Sequence, residues 1–222
     1  MSVVSNLQDI KSLISKSCAH EGRKVDDVTL VAVSKFQDDG KIDDALNAGL
    51  RIFGENRVQE AETHWVARRV QYPDLQLHLI GPLQSNKAKD AVALFDVIET
   101  IDRVSIAEEI AKECAKQNRN PVCLIQVNTG NEQQKAGVSL DDLPALITKC
   151  QELKLNIQGV MCIPPVNEPA AFHFALLKKL SLRHNLPLLS MGMSADFEKA
   201  IKVGATHIRI GTALFGDRQP QE

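Results

Sequence analysis

Apolar residues along this chain gather into eight short runs, at 29–33, 51–54, 77–81, 97–100, 122–127, 157–163, 188–191 and 207–211. Several of these runs are almost uninterrupted in Val, Ile and Leu, the pattern of strands covered on both faces. The stretches between them carry apolar residues at helical spacing: Ala107, Ile110, Ala111 and Cys114 follow i, i+3, i+4, i+7 and predict one buried helix face, with Asp102 as its N-cap. Strand alternating with helix implies a parallel sheet, and eight such units predict a closed (β/α)8 barrel of TIM type, an α/β fold. Leu7, Ile10 and Ile14 add an amphipathic helix before the first strand, placed to cover the barrel floor or flank. The rival, a doubly wound sheet in its dinucleotide-binding form, needs GxGxxG after an early strand, and none stands there.

At 222 residues the chain suits one barrel domain spanning positions 1–222; the Pro-containing segment from Pro164 to Pro169 reads as a loop after the sixth strand and not as a linker. A formal charge of -2 with only 4% aromatic residues leaves no cationic excess for a phosphodiester backbone and few rings for base stacking, which argues against nucleic acid. Five scattered cysteines, with no CxxC spacing, read as reduced core residues and not as a disulfide frame or metal site. Asp9, Lys11 and Lys16 interrupt any signal-type apolar segment, and no run reaches membrane-spanning length, so a cytoplasmic location without membrane contact is expected.

In a β/α barrel the functional groups collect where strands end, because all eight C-terminal tips face one side. Those tips carry Lys35, then Glu55 and Asn56, the loop from Gly81 to Lys87, Asn128, Met161, Ser190 to Ser194, and Arg209 to Thr212. Ser190-Met191-Gly192-Met193-Ser194 and Arg209-Ile210-Gly211-Thr212 flank the last helical segment, where backbone N–H groups and hydroxyls can surround one phosphate. Lys35 closes an apolar run; an amine partly desolvated beside a cation such as Arg209 is held in its neutral, nucleophilic form. Amine plus phosphate cradle is the requirement of a phosphorylated aldehyde. Arg209 lies inside an apolar strand and needs a designated acceptor, either the ligand or a carboxylate across the barrel mouth. Other readings stay open: Glu55 as a base or as a loop anchor, His78 as a barrel-interior histidine or an acid–base group, and the Gln84-Ser85-Asn86-Lys87 loop as a helix cap or a ligand or partner surface. His20, His64, His173 and His184 are expected at the surface.

Phe53-Gly54-Glu55-Asn56, His78-Leu79-Ile80-Gly81-Pro82-Leu83-Gln84-Ser85-Asn86-Lys87, Ser190-Met191-Gly192-Met193-Ser194 and Arg209-Ile210-Gly211 together resemble the pyridoxal phosphate homeostasis protein family, over roughly residues 30 to 218. The resemblance implies a barrel like the N-terminal domain of alanine racemase, with pyridoxal 5'-phosphate (PLP) held as an aldimine by Lys35. It puts the phosphate at Ser194, Gly211 and Thr212, Arg209 at the pyridine nitrogen, and Asn56 near the ring; Met161 and Ser190, from the strand tips, complete the expected cofactor-binding set. It also implies a role in supplying and safeguarding the cofactor, with PLP-dependent apoenzymes as partners and no robust turnover. Arg57 and Leu77 depart from the family pattern, which in many members has Tyr and Trp there, and are expected to alter the rim. An arginine at the ring nitrogen donates to an unprotonated nitrogen and so mutes carbanion chemistry. Tyr72 is the single tyrosine, and with no second domain a two-base racemase is disfavoured and a monomer expected. The alternative is a slow PLP enzyme of the same fold, a racemase, decarboxylase or lyase; a barrel for another phosphorylated metabolite is the remaining reading.

Overall fold

The structure, a computed structural model, describes residues 2–216, so the last positions of the family resemblance lie outside the described residues. Eight parallel strands close into a barrel in chain order: β1 Thr29–Val33, β2 Ile52–Glu55, β3 Gln76–Leu79, β4 Val97–Ile101, β5 Val122–Gln126, β6 Ile157–Met161, β7 Leu188–Met193 and β8 His207–Ile210. Each is within a few residues of its apolar run. The helices are α1 Val3–His20, α2 Asp39–Asn47, α3 Val58–Gln71, α4 Ala88–Leu94, α5 Val104–Gln117, α6 Leu143–Glu152, α7 Ala170–His184, α8 Phe197–Val203 and α9 Thr212–Phe215. No described helix is long and apolar enough to cross a membrane.

The extra helix α1 covers the flank and not the floor. It buries Val3, Leu7, Ile10 and Ile14 against α8, α9 and α2, and the Asn6 side-chain amide donates to the Leu214 carbonyl at 2.9 Å. The helix predicted after the fourth strand is α5, with a slightly rotated face: Ile106, Ala107 and Ile110 are buried, whereas Ala111 and Cys114 are half-buried. Its N-cap is Arg103, not Asp102, and no side chain caps it; Asp102 pairs with Arg103 at 2.6 Å instead.

Strand pleating separates two layers of different chemistry. Ala32, Phe53, Leu77, Leu79, Ile98, Ile125, Val160, Leu189, Ile208 and Ile210 belong to the apolar core between sheet and helices. Leu77 therefore sits deep in that core, early in β3, and does not border the functional rim. Residues of the opposite parity fill the barrel, where Val97, Leu124 and Met161 form a small separate apolar cluster and His78, Glu99, Ser190 and Arg209 are buried polar groups.

Candidate functional site

Register delivers the strand tips to one another. Val33 pairs with Gly54 and Ala32 with Ile210, so continuing β1 by two residues brings Lys35 level with Asn56 and next to the Gly211-Thr212 turn. Lys35, Asn56, Ser194, Arg209, Gly211 and Thr212 all line one cavity of about 300 Å³, whose wall also carries Ile80 and Ile163. That volume lies at the lower end of the range, about 300–1,000 Å³, in which small molecules are held. Neither Asp nor Glu is among the residues that line it.

The two phosphate-type turns are locked together, since the Ala213 backbone N–H donates to Ser194 Oγ at 3.2 Å. Gly192 makes the first turn possible. Its φ is +95°, and a Cβ there would stand 2.5 Å from Ala200 Cβ, so no side chain fits between the end of β7 and α8. Gly81 serves the opposite wall: a Cβ on it would lie 2.3 Å from the Asn56 carbonyl oxygen, which lets the loop after β3 press against Asn56.

Arg209, 3% exposed, has its acceptors inside the barrel. Its Nη1 donates to Ser190 Oγ at 2.6 Å and its Nη2 to the Cys162 carbonyl at 2.8 Å, and further N–H donors remain on the guanidinium. The Ser190 hydroxyl donates onward to Glu99 Oε2, and His78 Nδ1 donates to Glu99 Oε1 at 2.7 Å. Glu99 Oε2 stands 3.9 Å from Arg209 Nη1. Burial raises the Glu99 pKa, but the hydrogen bond and charge of His78, the Arg209 charge and the Ser190 hydroxyl together overcome it and hold the carboxyl at about 2. Arg209 is thus fixed by an ionised carboxylate acting through a serine. The neighbouring His207 is pushed down to about 4, chiefly by burial, and is neutral at pH 7.

A second polar knot secures the root of Lys35. Buried Glu55 accepts, through Oε1, from the Ser34 hydroxyl at 2.7 Å, the Trp65 indole at 3.0 Å and His64 Nδ1 at 2.9 Å. Ser34 immediately precedes Lys35. Phe36, which follows it, is left-handed at φ 59°, a strained setting for a non-glycine residue, and its N–H donates to Glu60 on α3. Glu55 is therefore an anchor of the Lys35 loop, the second of its two readings.

Two members of the expected set are not in the cavity wall. Met161 is fully buried in the barrel-interior cluster below it, and Ser190 lies behind Arg209, supporting it. Asn128 is likewise occupied elsewhere, closing its own loop through two hydrogen bonds to the Glu132 backbone. His64 and His173 are not surface residues: His64 is held by Glu55, and His173 is 1% exposed between Thr129 and Glu168. His78 is interior, bound to Glu99. Glu99 itself escaped the sequence reading, although an acid inside Val97-Ile98-Glu99-Thr100-Ile101 is the same anomaly that drew attention to Arg209.

Barrel topology and this rim place the chain among alanine racemase-like barrels, and the family described as alanine racemase, N-terminal domain, matches residues 7–219. A curated relative from Pseudomonas aeruginosa, named pyridoxal phosphate homeostasis protein, is 42% identical over 97% of this chain and 96% of its own; one of the same name from Aquifex aeolicus is 38% identical over 99% and 100%. The chain belongs to the pyridoxal phosphate homeostasis protein family. PipY of Synechococcus elongatus, solved without PLP, superposes with a TM-score of 0.85 at 36% identity, covering 97% of this chain and 100% of that one. The same protein solved with PLP bound gives 0.78 at 38% identity over 91% of this chain and 100% of PipY. Alanine racemase of Clostridium difficile shares the fold alone, at TM-score 0.71 and 11% identity over 96% of this chain and 58% of the racemase.

Proposed function

We propose that this protein binds pyridoxal 5'-phosphate at the C-terminal rim of the barrel and serves to hold and supply it to PLP-dependent apoenzymes. The carrying observation is that Lys35, Arg209, Ser194 and Thr212, drawn from strand tips at opposite ends of the sequence, line a single cavity. The bound cofactor supplies an aldehyde carbon that an amine can attack with loss of water. Lys35 provides the amine. Ser194, Gly211 and Thr212 hold the phosphate, Arg209 directs a free N–H at the pyridine nitrogen, and Asn56 borders the ring. Met161 and Ser190 take supporting positions below and behind these groups.

The residues fit the cofactor on their own chemistry: a cavity free of carboxylates favours a dianion, and Arg209 keeps donors beyond those spent on Ser190 and Cys162. Holding is favoured over turnover by two features. Arg209 can only donate, and no Asp or Glu lines the cavity to hold a proton on the ring nitrogen. Tyr72 lies under Arg51, whose guanidinium sits 4.8 Å over its ring, at the opposite end of the barrel from the rim. That leaves Lys35 without a tyrosine as second base.

The test is borohydride reduction of the PLP-saturated protein followed by peptide mass analysis. A pyridoxyl-phosphate adduct on the peptide containing Lys35, absent in Lys35→Ala, is expected; an unmodified Lys35 peptide at saturation refutes the reading. Solvent deuterium incorporation at the α-carbon of amino acids, lost in Lys35→Ala, would replace holding with catalysis.

A further inference from the structure

Beside the first cavity lies a second, of about 700 Å³, reached across Asn56, which lines both. Its wall carries Arg57, Lys87 and Arg103, and no acidic residue is among those that line it. The three cations come from three successive β/α loops. Each is also the N-cap of the helix that follows, α3, α4 and α5 respectively, and none of the three caps makes a side-chain hydrogen bond to its helix.

This arrangement departs from the usual chemistry of helix starts. Helix starts carry partial positive charge and prefer Ser, Thr, Asp or Asn, whose oxygens satisfy the first amides. Basic residues stand instead at three consecutive starts that line one cavity, Arg57 and Arg103 exposed and Lys87 half-buried, and supply none of those oxygens. Existing counter-charges offset these cations incompletely. Arg103 pairs with Asp102 and donates to the Leu83 carbonyl at 3.2 Å, and Lys87 stands 3.8 Å from Asp90, while Arg57 makes no ion pair or side-chain hydrogen bond with any described residue. Where local rules are broken together and at one place, the compensating interaction is a ligand. The Gln84 to Lys87 loop, left without a role by the first cavity, forms part of this wall.

We infer that this second compartment binds a small molecule through an oxyanion, a phosphate or a carboxylate, alongside whatever occupies the first cavity. The cavity and its three cations carry the inference, independently of any reaction at Lys35. Arg57 and Lys87 supply charge-assisted bonds from two sides, with Arg103, pinned by Asp102 and Leu83, as the third donor.

An amide NMR titration at constant ionic strength, with inorganic phosphate in one arm, succinate in a second and chloride in a third, tests it by position. The amides of Gln59, Gln84, Lys87 and Val104 should move together along one saturable curve with phosphate, succinate or both, and the responding arm identifies the oxyanion. Arg57→Gln and Lys87→Gln should each weaken that curve about tenfold while leaving the response of Ala195 and Ala213, at the first cavity, in place. Shifts confined to Ala195 and Ala213, shifts equal to those with chloride, or curves indifferent to both substitutions would overturn the inference. Failure of the borohydride experiment at Lys35 would leave the result untouched.

Discussion

Replacing Glu99 by Gln keeps the size of the side chain and removes one buried charge from the group that fixes Arg209. Two routes give the magnitude. A carboxyl lowered from 4.5 to about 2 by folding contributes about 3 kcal/mol at neutral pH, at about 1.4 kcal/mol per pH unit. Opposite charges 3.9 Å apart at an effective dielectric of about 20 attract by about 4 kcal/mol. Both fall in the range, about 3–5 kcal/mol, found when one partner of a buried pair is deleted. Urea unfolding, followed through buried Trp65, the single tryptophan, should therefore place Glu99→Gln about 3 kcal/mol below the parent at pH 7. The pH dependence supplies a sign. A depressed carboxyl stabilises above its unfolded-state value and loses that contribution as pH falls towards the folded value. The gap between parent and variant should be flat from pH 7 to about 5.5 and smaller by about 1 kcal/mol at pH 4. Unfolding curves within 0.5 kcal/mol of each other at pH 7, with parallel pH profiles, would refute the pairing of Glu99 with Arg209.

Gly192→Ala should cost about 1–3 kcal/mol in the same unfolding assay, from the positive φ alone, with the contact against Ala200 adding to it. Ser194→Ala should weaken PLP binding by about tenfold, measured by titrating the cofactor's absorbance, since it removes the hydroxyl proposed to hold the phosphate and the tie to Ala213. His64 has its pKa raised chiefly by its hydrogen bond to Glu55, so it stabilises the fold below its unfolded-state value and loses that contribution as pH rises through the elevated one. Stability of the parent should decline relative to His64→Gln as pH rises above the unfolded-state histidine value of about 6.5; superimposable profiles would show that the pair carries no charge.

The barrel was legible because parallel strands covered on both sides are written as near-continuous apolar runs, and all eight such runs are strands. The cavity wall was legible for a related reason: barrels concentrate chemistry at strand tips, and Lys35, Asn56, Ser194, Arg209 and Thr212 each stand at or just past one. What stayed hidden depends on partners distant in sequence. Met161 ends β6 and Ser190 lies within β7, yet only closure of the sheet shows which lies beneath the cavity and which behind Arg209. His173, on a helix, reads as surface until the loops bearing Thr129 and Glu168 fold over it. The cationic compartment was legible only in pieces: the Gln84 to Lys87 loop stood open as a ligand surface and Arg57 as a change at the rim, but Arg103 looks like an ordinary solvated charge until three loops converge.

The knot at Glu55 ties strands β1 and β2 to helix α3 directly beneath Lys35. A tether rooted in that way keeps its geometry whether its guest is present or gone, so little disorder is frozen out on arrival and little structure is surrendered on departure. The proposed holding and supply of PLP would gain from such indifference: loading and unloading could proceed without remaking the host.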